Sequence, residues 1–431
     1  MENLPDKVRD KELHERIEGL SEDLVDLTCQ LIRIPTTNPP GENYTECAEF
    51  IGNWLKLRGF QVEYIRGLGT PGDSDRFPRT NIVARKEGKR PGQCVHFNSH
   101  IDVVTAGEGW SVDPFAAIVK DGKIYGRGAC DMKGGLAASM IAVEAFLATV
   151  PEFDGAIEIS GTVDEETGGY GGVAYLAEQG YFSKPRVDHV IIPEPLNKDR
   201  ICLGHRGGWW GEIETKGRIA HGSMPFLGDS AIRHMSAVMT KFEDDLYPAL
   251  ANKKTDMPVV PPGARQSTMN INSIHGGESE EFDGLPAACV ADSCRMVFDR
   301  RFLIEESIGD VKDEIVSVLD ELQQTRDGFS YRIKSINEIH PTMTDKNADV
   351  SRALADGIRS VLNIDPEYVI SPGSYDQKHI SRLGHLHNCV AYGPGILDLA
   401  HQPDEYVGID DMVDSAKVMA SALNRLLMQG I

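Results

Sequence analysis

Three short apolar runs that each end in acidic or imidazole side chains restrict this chain more than any other feature. QCVHFNSH runs into His100 and Asp102, AIEISGTV into Asp164, Glu165 and Glu166, and HVIIP into Glu194. Runs of this length, rich in apolar residues and bounded by polar ones, read as strands. Between them lie segments suited to helices, MKGGLAASMIAVEAFLATV and a stretch near GGVAYLAEQG, and NIVARK supplies a further strand upstream. Apolar strands alternating with helices imply a mostly parallel sheet flanked by helices, an α/β architecture. Ligands of such sheets bind at the carboxyl ends of the strands, so the three acidic endings can converge on one crevice.

The order of elements changes after HRGG, at 205–208. WWGEIETKG reads as a strand, DSAIRHMSAVMTKFEDDL as a helix, and STMNINSIHGG and ACVADSCRMVFDRR as strands. EESIGDVKDEIVSVLDELQQT then reads as a helix and SYRIKSINE as a strand. That βαββαβ order fits a small open-faced sandwich inserted into the first domain. The expected boundaries are 1–207 and 339–431 for the two parts of the first domain and 208–338 for the insert. Near the start, Ser21 is placed to cap a helix over SEDLVDLTCQLIRI that Pro35 ends, and YTECAEFIGNWLKLRG forms another, stopped by Gly59.

Charge narrows the partners. With 44 basic against 66 acidic residues the net charge is −22, which argues against nucleic acid or an anionic membrane surface. The charged N-terminus lacks the apolar run of a signal peptide, and no run of about 18 apolar residues suggests a membrane span. The eight cysteines are scattered without a CxxC pair. They read as free thiols in a reducing compartment, with the cytoplasm the simplest location.

Asp131, in GRGACDMKGG just before a helix start, adds another carboxylate to the three strand endings. Carboxylates gathered in one crevice repel one another and resist desolvation. A pair of divalent cations relieves both problems, and imidazole with carboxylate suits zinc, cobalt or manganese. Asp102, two residues after His100, is placed to accept one imidazole N–H and so fix which nitrogen faces a metal. Adjacent Glu165 and Glu166 point to opposite sides of an extended stretch. One can bind metal while the other faces substrate and handles protons.

The motifs SHIDVV, GRGACDMKGG, TVDEETGG, IIPEP, AHGSMP and AHQPDEYV, in that order from about residue 95 to the end, resemble those of one metallopeptidase family. It is the family of acetylornithine deacetylase, succinyl-diaminopimelate desuccinylase, aminoacylase and glutamate carboxypeptidase. The resemblance implies that His100 and Glu194 bind one metal and His401 and Glu166 the other, with Asp131 bridging. It implies that Glu165 is the general base for a metal-bridging water, assisted by Asp102, and that the Asp131–Met132 peptide is cis. The insert then corresponds to the family's lid and dimerisation domain, and His221, in AHGSMP, reaches the partner subunit's site to stabilise the oxyanion. By the same resemblance Asn272 and Arg301 hold a substrate carboxylate; Arg300, one residue away, points to the opposite face of a strand, so register decides which arginine serves. Arg206 would meet the acyl end, and Ser374 and Tyr375 lie in a substrate-contacting turn. Histidines outside these motifs, His379 among them, carry no ligand spacing.

The expected function is therefore a metal-dependent amidohydrolase, a homodimer acting on a small N-acyl amino acid or related carboxylate through a bridging hydroxide. The tail GPGILDLAHQPDEYV is closest to acetylornithine deacetylases, and Leu397 stands where desuccinylases carry asparagine. The Tyr375 ring raises an aromatic substrate. A carboxypeptidase or dipeptidase, an aminohydrolase releasing ammonia, and a metal-binding scaffold without turnover are the alternatives.

Overall fold

Strand Cys94–His100 is buried along its whole length, which requires strands on both edges and cover on both faces. In the computed structural model it pairs in parallel with Ala156–Thr162 on one side and His189–Ile192 on the other. Cys389–Ala391 continues the parallel order beyond His189–Ile192. Antiparallel strands flank this parallel centre, Thr80–Glu87 and Gln61–Arg66 at one side and Arg200–His205 at the other. The mostly parallel α/β class read from the sequence is what the chain adopts, with the parallel strands at the centre where burial is greatest. The structure describes residues 6–278, 284–285 and 287–428.

The chain packs into two compact units, Met1–Gly204 with Thr344–Val369 and Tyr375–Ile431, and His205–Met343 with Ile370–Ser374. Helix Gly134–Thr149 in the first unit is apolar on nearly every side and buried on nearly every side. With the turn before it, it is the one helix among the described residues long and apolar enough to cross a membrane by length and composition, and most of it is buried inside the fold. The C-terminal helix Ile409–Met428 packs against it. The N-terminal helix Asp6–Gly19 has little apolar surface, but Leu13 and Ile17, one turn apart, are both buried. Ser21 does not cap its helix. It is the first residue of Ser21–Ile32, Leu20 occupies the cap position, and no side chain bonds there.

The second unit holds a four-stranded antiparallel sheet in the spatial order Thr268–Gly276, Ser293–Phe302, Gly207–Lys216, Ser330–Ile339. Helices Ala231–Lys241 and Ile308–Thr325 complete the βαββαβ order. Each starts at a serine, Ser230 or Ser307, whose side chain accepts a backbone N–H from the first turn. The core follows from period-two alternation: Cys294, Met296, Phe298 and Phe302 meet Met235, Val238, Val311 and Ile315 in one cluster.

Candidate dinuclear metal centre

The candidate ligands all lie in the first unit, and all but His401 sit where a strand has just ended or a helix is about to begin. His100 closes its strand, Glu165 and Glu166 form the single turn Glu165–Thr167 after Ala156–Thr162, and Glu194 follows His189–Ile192. The pairing of Val95 with Ile157 and with His189 brings these endings level. Asp131 lies in the turn Ala129–Lys133 that leads into helix Gly134–Thr149. His401 comes from the loop before strand Tyr406–Gly408.

His100 Nε2 lies 3.0 Å from Asp131 Oδ1 and 4.0 Å from Glu194 Oε1. His401 Nε2 lies 3.5 Å from Asp131 Oδ2 and 3.0 Å from Glu166 Oε2. Asp131 thus offers one oxygen to each group, and the donor atoms within each group lie within 4.8 Å of one another. Metal–nitrogen and metal–oxygen bonds of about 2.0–2.2 Å place donors roughly 3–4 Å apart around a cation, so each group fits one.

Protons satisfy this cluster poorly. Burial pushes the Glu166 carboxyl up to about 7 and Glu194 well above the usual carboxylate range, with Asp131 adding to both. The hydrogen bond that His401 donates to the Glu166 carboxylate lifts His401 to about 9. Burial opposes a charged His100, yet its contacts with Asp102 and Asp131 raise it well above its ordinary value. Burial resists charge on the Glu166 and Glu194 carboxyls while the neighbouring carboxylates draw charge onto the imidazoles, and divalent cations held by the same donors would relieve that conflict.

A layer of buried groups aims the ligands. The expected bond from His100 to the Asp102 carboxylate is not the one formed. His100 Nδ1 pairs with the Asp102 backbone carbonyl at 2.9 Å, and the nearest carboxylate oxygen is 3.6 Å away. The carboxylate instead accepts the backbone N–H groups of Glu165 and Glu166, each at 3.1 Å, and Asn38 Nδ2 at 2.8 Å. Spacing along the chain places a carboxylate near an imidazole but cannot exclude a nearer carbonyl from the same residue. Asp164 and His401 both adopt the left-handed region, at φ 65° and 64°, which non-glycine residues accept only where surroundings hold them. The Asp131–Met132 peptide is cis.

Sequence reading passed over Glu405, Arg127 and Lys378. Glu405 Oε1 accepts the N–H groups of Cys130 and Asp131 at 2.8 and 3.1 Å, and its Oε2 meets Arg127 Nη1 at 2.5 Å. Arg127 also donates to the His401 carbonyl at 3.3 Å, so one buried ion pair ties the Asp131 turn to the His401 loop. Both residues sit inside the quoted motifs GRGACDMKGG and AHQPDEYV, which was the available signal. Lys378 Nζ donates to Glu165 Oε1 at 3.0 Å, and nothing in SPGSYDQKHI marked it.

Of the remaining candidates, all but Tyr375 belong to the second unit. Tyr375, expected at a substrate pocket, is buried in the first unit, its hydroxyl 2.6 Å from Gln377 Oε1 and 3.6 Å from Cys202 Sγ. Its hydroxyl thus finds partners inside the fold. Ser374 is half-buried and belongs to the second unit. Arg206 is buried there and donates to the carbonyls of Pro372, Ala264 and Gln266, which makes it a brace between loops. Arg300 faces the helices and pairs with Glu306 and Glu314, whereas Arg301 faces away and pairs with Asp299. Asn272 is exposed at a break in the register between Ile271 and Ser273, a bulge that redirects a side chain. His221 is exposed, and its Nδ1 accepts the Ser223 N–H at 3.1 Å.

Two donor groups sharing one aspartate at the carboxyl end of a parallel sheet are the equipment of a hydrolase that attacks amide C–N bonds with metal help. Residues 96–425 match Peptidase family M20/M25/M40, and the chain belongs to that family. A succinyl-diaminopimelate desuccinylase of Polynucleobacter necessarius is 29% identical over 390 residues, covering 88% of this chain and 94% of that protein. A second, from Marinobacter nauticus, is 30% identical over 367 residues, covering 84% and 90%. Human carnosine dipeptidase 1 has the same fold, with a TM-score of 0.74 at 18% identity over 97% of this chain and 98% of its own.

Proposed function

We propose that this hydrolase removes the acyl group from a small N-acyl amino acid or related carboxylate substrate, using two divalent cations, zinc foremost and cobalt or manganese as substitutes. The observation that carries the reading is the sharing of Asp131 between the His100–Glu194 and His401–Glu166 groups, with Glu165 adjacent to one of them. When bound, the cations supply Lewis acidity, lowering the pKa of a water and polarising the scissile carbonyl. Glu165 takes the proton from the attacking water and delivers it to the leaving nitrogen. Asp102 holds the backbone of the Glu165–Glu166 turn so that the two carboxylates diverge.

The second unit is proposed as the lid and the surface of a homodimer, with His221 of one chain serving the centre of the other. Backbone N–H groups only donate, so the bond from Ser223 requires His221 Nδ1 to be unprotonated and puts the proton on Nε2. That exposed N–H is suited to a carbonyl oxygen gaining charge. Arg301 and Asn272 are proposed to hold the substrate carboxylate. Tyr375, whose ring suggested an aromatic substrate, is buried, which supports an aliphatic substrate over an aromatic one. Eight free cysteines, seven of them buried, support a reducing compartment such as the cytoplasm.

The test is hydrolysis by purified protein supplied with zinc, cobalt or manganese, against N-acetyl and N-succinyl amino acids and against dipeptides. Turnover on the acyl amino acids, with Glu165→Ala retaining metal but losing turnover, is expected. Full turnover by Glu165→Ala would remove the base, and turnover on dipeptides alone would favour the dipeptidase reading.

A further inference from the structure

Lys378 is a buried ammonium beside the residue proposed as the base. Its side chain is 7% exposed and that of Glu165 12%, so neither charge has bulk water to lean on. Burial alone would strip the proton from such a lysine, but the charges of Glu165 and Asp376 outweigh it and hold the ammonium above its ordinary value.

The element carrying Lys378 is fastened to the turn carrying Glu165. His379, next in the short helix Gln377–Arg382, pairs through Nε2 with the Gly168 carbonyl at 2.7 Å. Gly169 has a φ of +77°, and a Cβ there would lie 3.1 Å from both Asp376 Oδ1 and His379 Cδ2. Only a glycine lets the turn approach so closely. Asp376 Oδ2 in turn accepts Asn98 Nδ2 at 3.0 Å, which anchors the start of the helix to the central strand. Lys378 is therefore aimed at Glu165 by contacts on both sides of it and is held in place before any substrate arrives.

We infer that Lys378 is a positioning residue for the hydrolytic step: it holds Glu165 by Oε1, leaving Oε2 for the attacking water, and keeps this carboxylate from joining Glu166 as a metal ligand. The physical need is plain. A free carboxylate next to two divalent cations is drawn into their coordination, and a base that has become a ligand cannot shuttle protons. This inference rests on the reading of Glu165 as the base.

The experiment compares Lys378→Met, Lys378→Arg and Glu165→Ala in the full-length protein, reading metal content, kcat and KM on the best N-acyl substrate. Lys378→Met is expected to bind its metals and to lose kcat by about 10²-fold while KM stays within about twofold. Lys378→Arg, which keeps the charge, is expected to recover most of that loss, and Lys378→Met should cost nothing further in the Glu165→Ala background. Unchanged kcat in Lys378→Met overturns the inference, and so does a rise in KM alone, which would make Lys378 a substrate contact. Should Lys378→Met fail to fold, Lys378→Gln replaces it: kcat falling from wild type through Arg to Gln supports the role, and equal kcat in all three overturns it. Full turnover in Glu165→Ala is a separate result that fails the base itself.

Discussion

Asp102 shows what a single residue does when it faces backbone instead of metal. Its carboxylate accepts two consecutive N–H groups, those of Glu165 and Glu166, so it fixes the turn from which a proposed base and a proposed ligand diverge. Groups one step removed from a metal typically govern affinity or activity by about 10–100-fold. Asp102→Ala is therefore expected to weaken zinc binding or lower kcat by that order, measured by titration against a competing chelator alongside steady-state rates. Wild-type values for both would show that the turn holds without it. His100, Glu166 and Glu194 were legible because acids and imidazoles that end apolar runs are conspicuous, whereas His401 was legible only through the resemblance of its motif to a known family. Tyr375 was not, since a residue in a turn has no periodicity to say whether its ring points inward. Lys378 escaped for the same reason.

Within an element, periodicity does more. Alternation along Ser293–Phe302 separates Arg300 from Arg301 by face, but only the packing of helix Ile308–Thr325 decides which face is covered. Arg300 is fully buried against Glu306 and Glu314, whereas Arg301 keeps 21% of its side chain exposed. Losing a fully buried guanidinium leaves Glu306 and Glu314 with Lys253 as their remaining cation and costs up to about 3–5 kcal/mol, while a partly exposed pair contributes less than about 1 kcal/mol. Arg300→Ala should lower the denaturant midpoint strongly and Arg301→Ala barely, and equal midpoints would contradict this assignment of faces. The same limit explains the cap at Ser21. A serine before an apolar run suggests a helix start, yet here the helix begins one residue earlier than a capping serine requires.

At the scale of the whole first unit, one buried network on the strands that lead to the candidate ligands should set the acid limit of stability. Glu158 is fully buried between Arg85, Arg186 and His96, at 2.8, 2.9 and 2.9 Å. Burial would raise its carboxyl, but His96 and the two guanidinium groups outweigh that and pull it from 4.5 down to about 2. A carboxyl depressed in the folded chain stabilises it fully above its unfolded pKa, and that contribution fades as pH falls towards the folded value. Wild type should thus exceed Glu158→Gln by roughly 3 kcal/mol above the unfolded pKa, with the gap closing between about pH 4.5 and 2. Urea unfolding at several pH values measures it, and a gap that does not change across the window counts against the network. By itself the sequence determined the α/β class, the βαββαβ order of the second unit and the identity of the acids and imidazoles that can bind metal. The first two follow from local periodicity; the acids and His100 follow from side-chain chemistry at the ends of apolar runs, and His401 from the resemblance of AHQPDEYV to a known family's motif. Only the tertiary structure decided which Asp131 oxygen meets which histidine, that Asp102 serves the backbone, that Glu405 and Arg127 join two distant loops, and that Lys378 reaches Glu165. Those contacts join residues far apart in the chain, and their distances depend on how strands and helices pack, which no local pattern encodes.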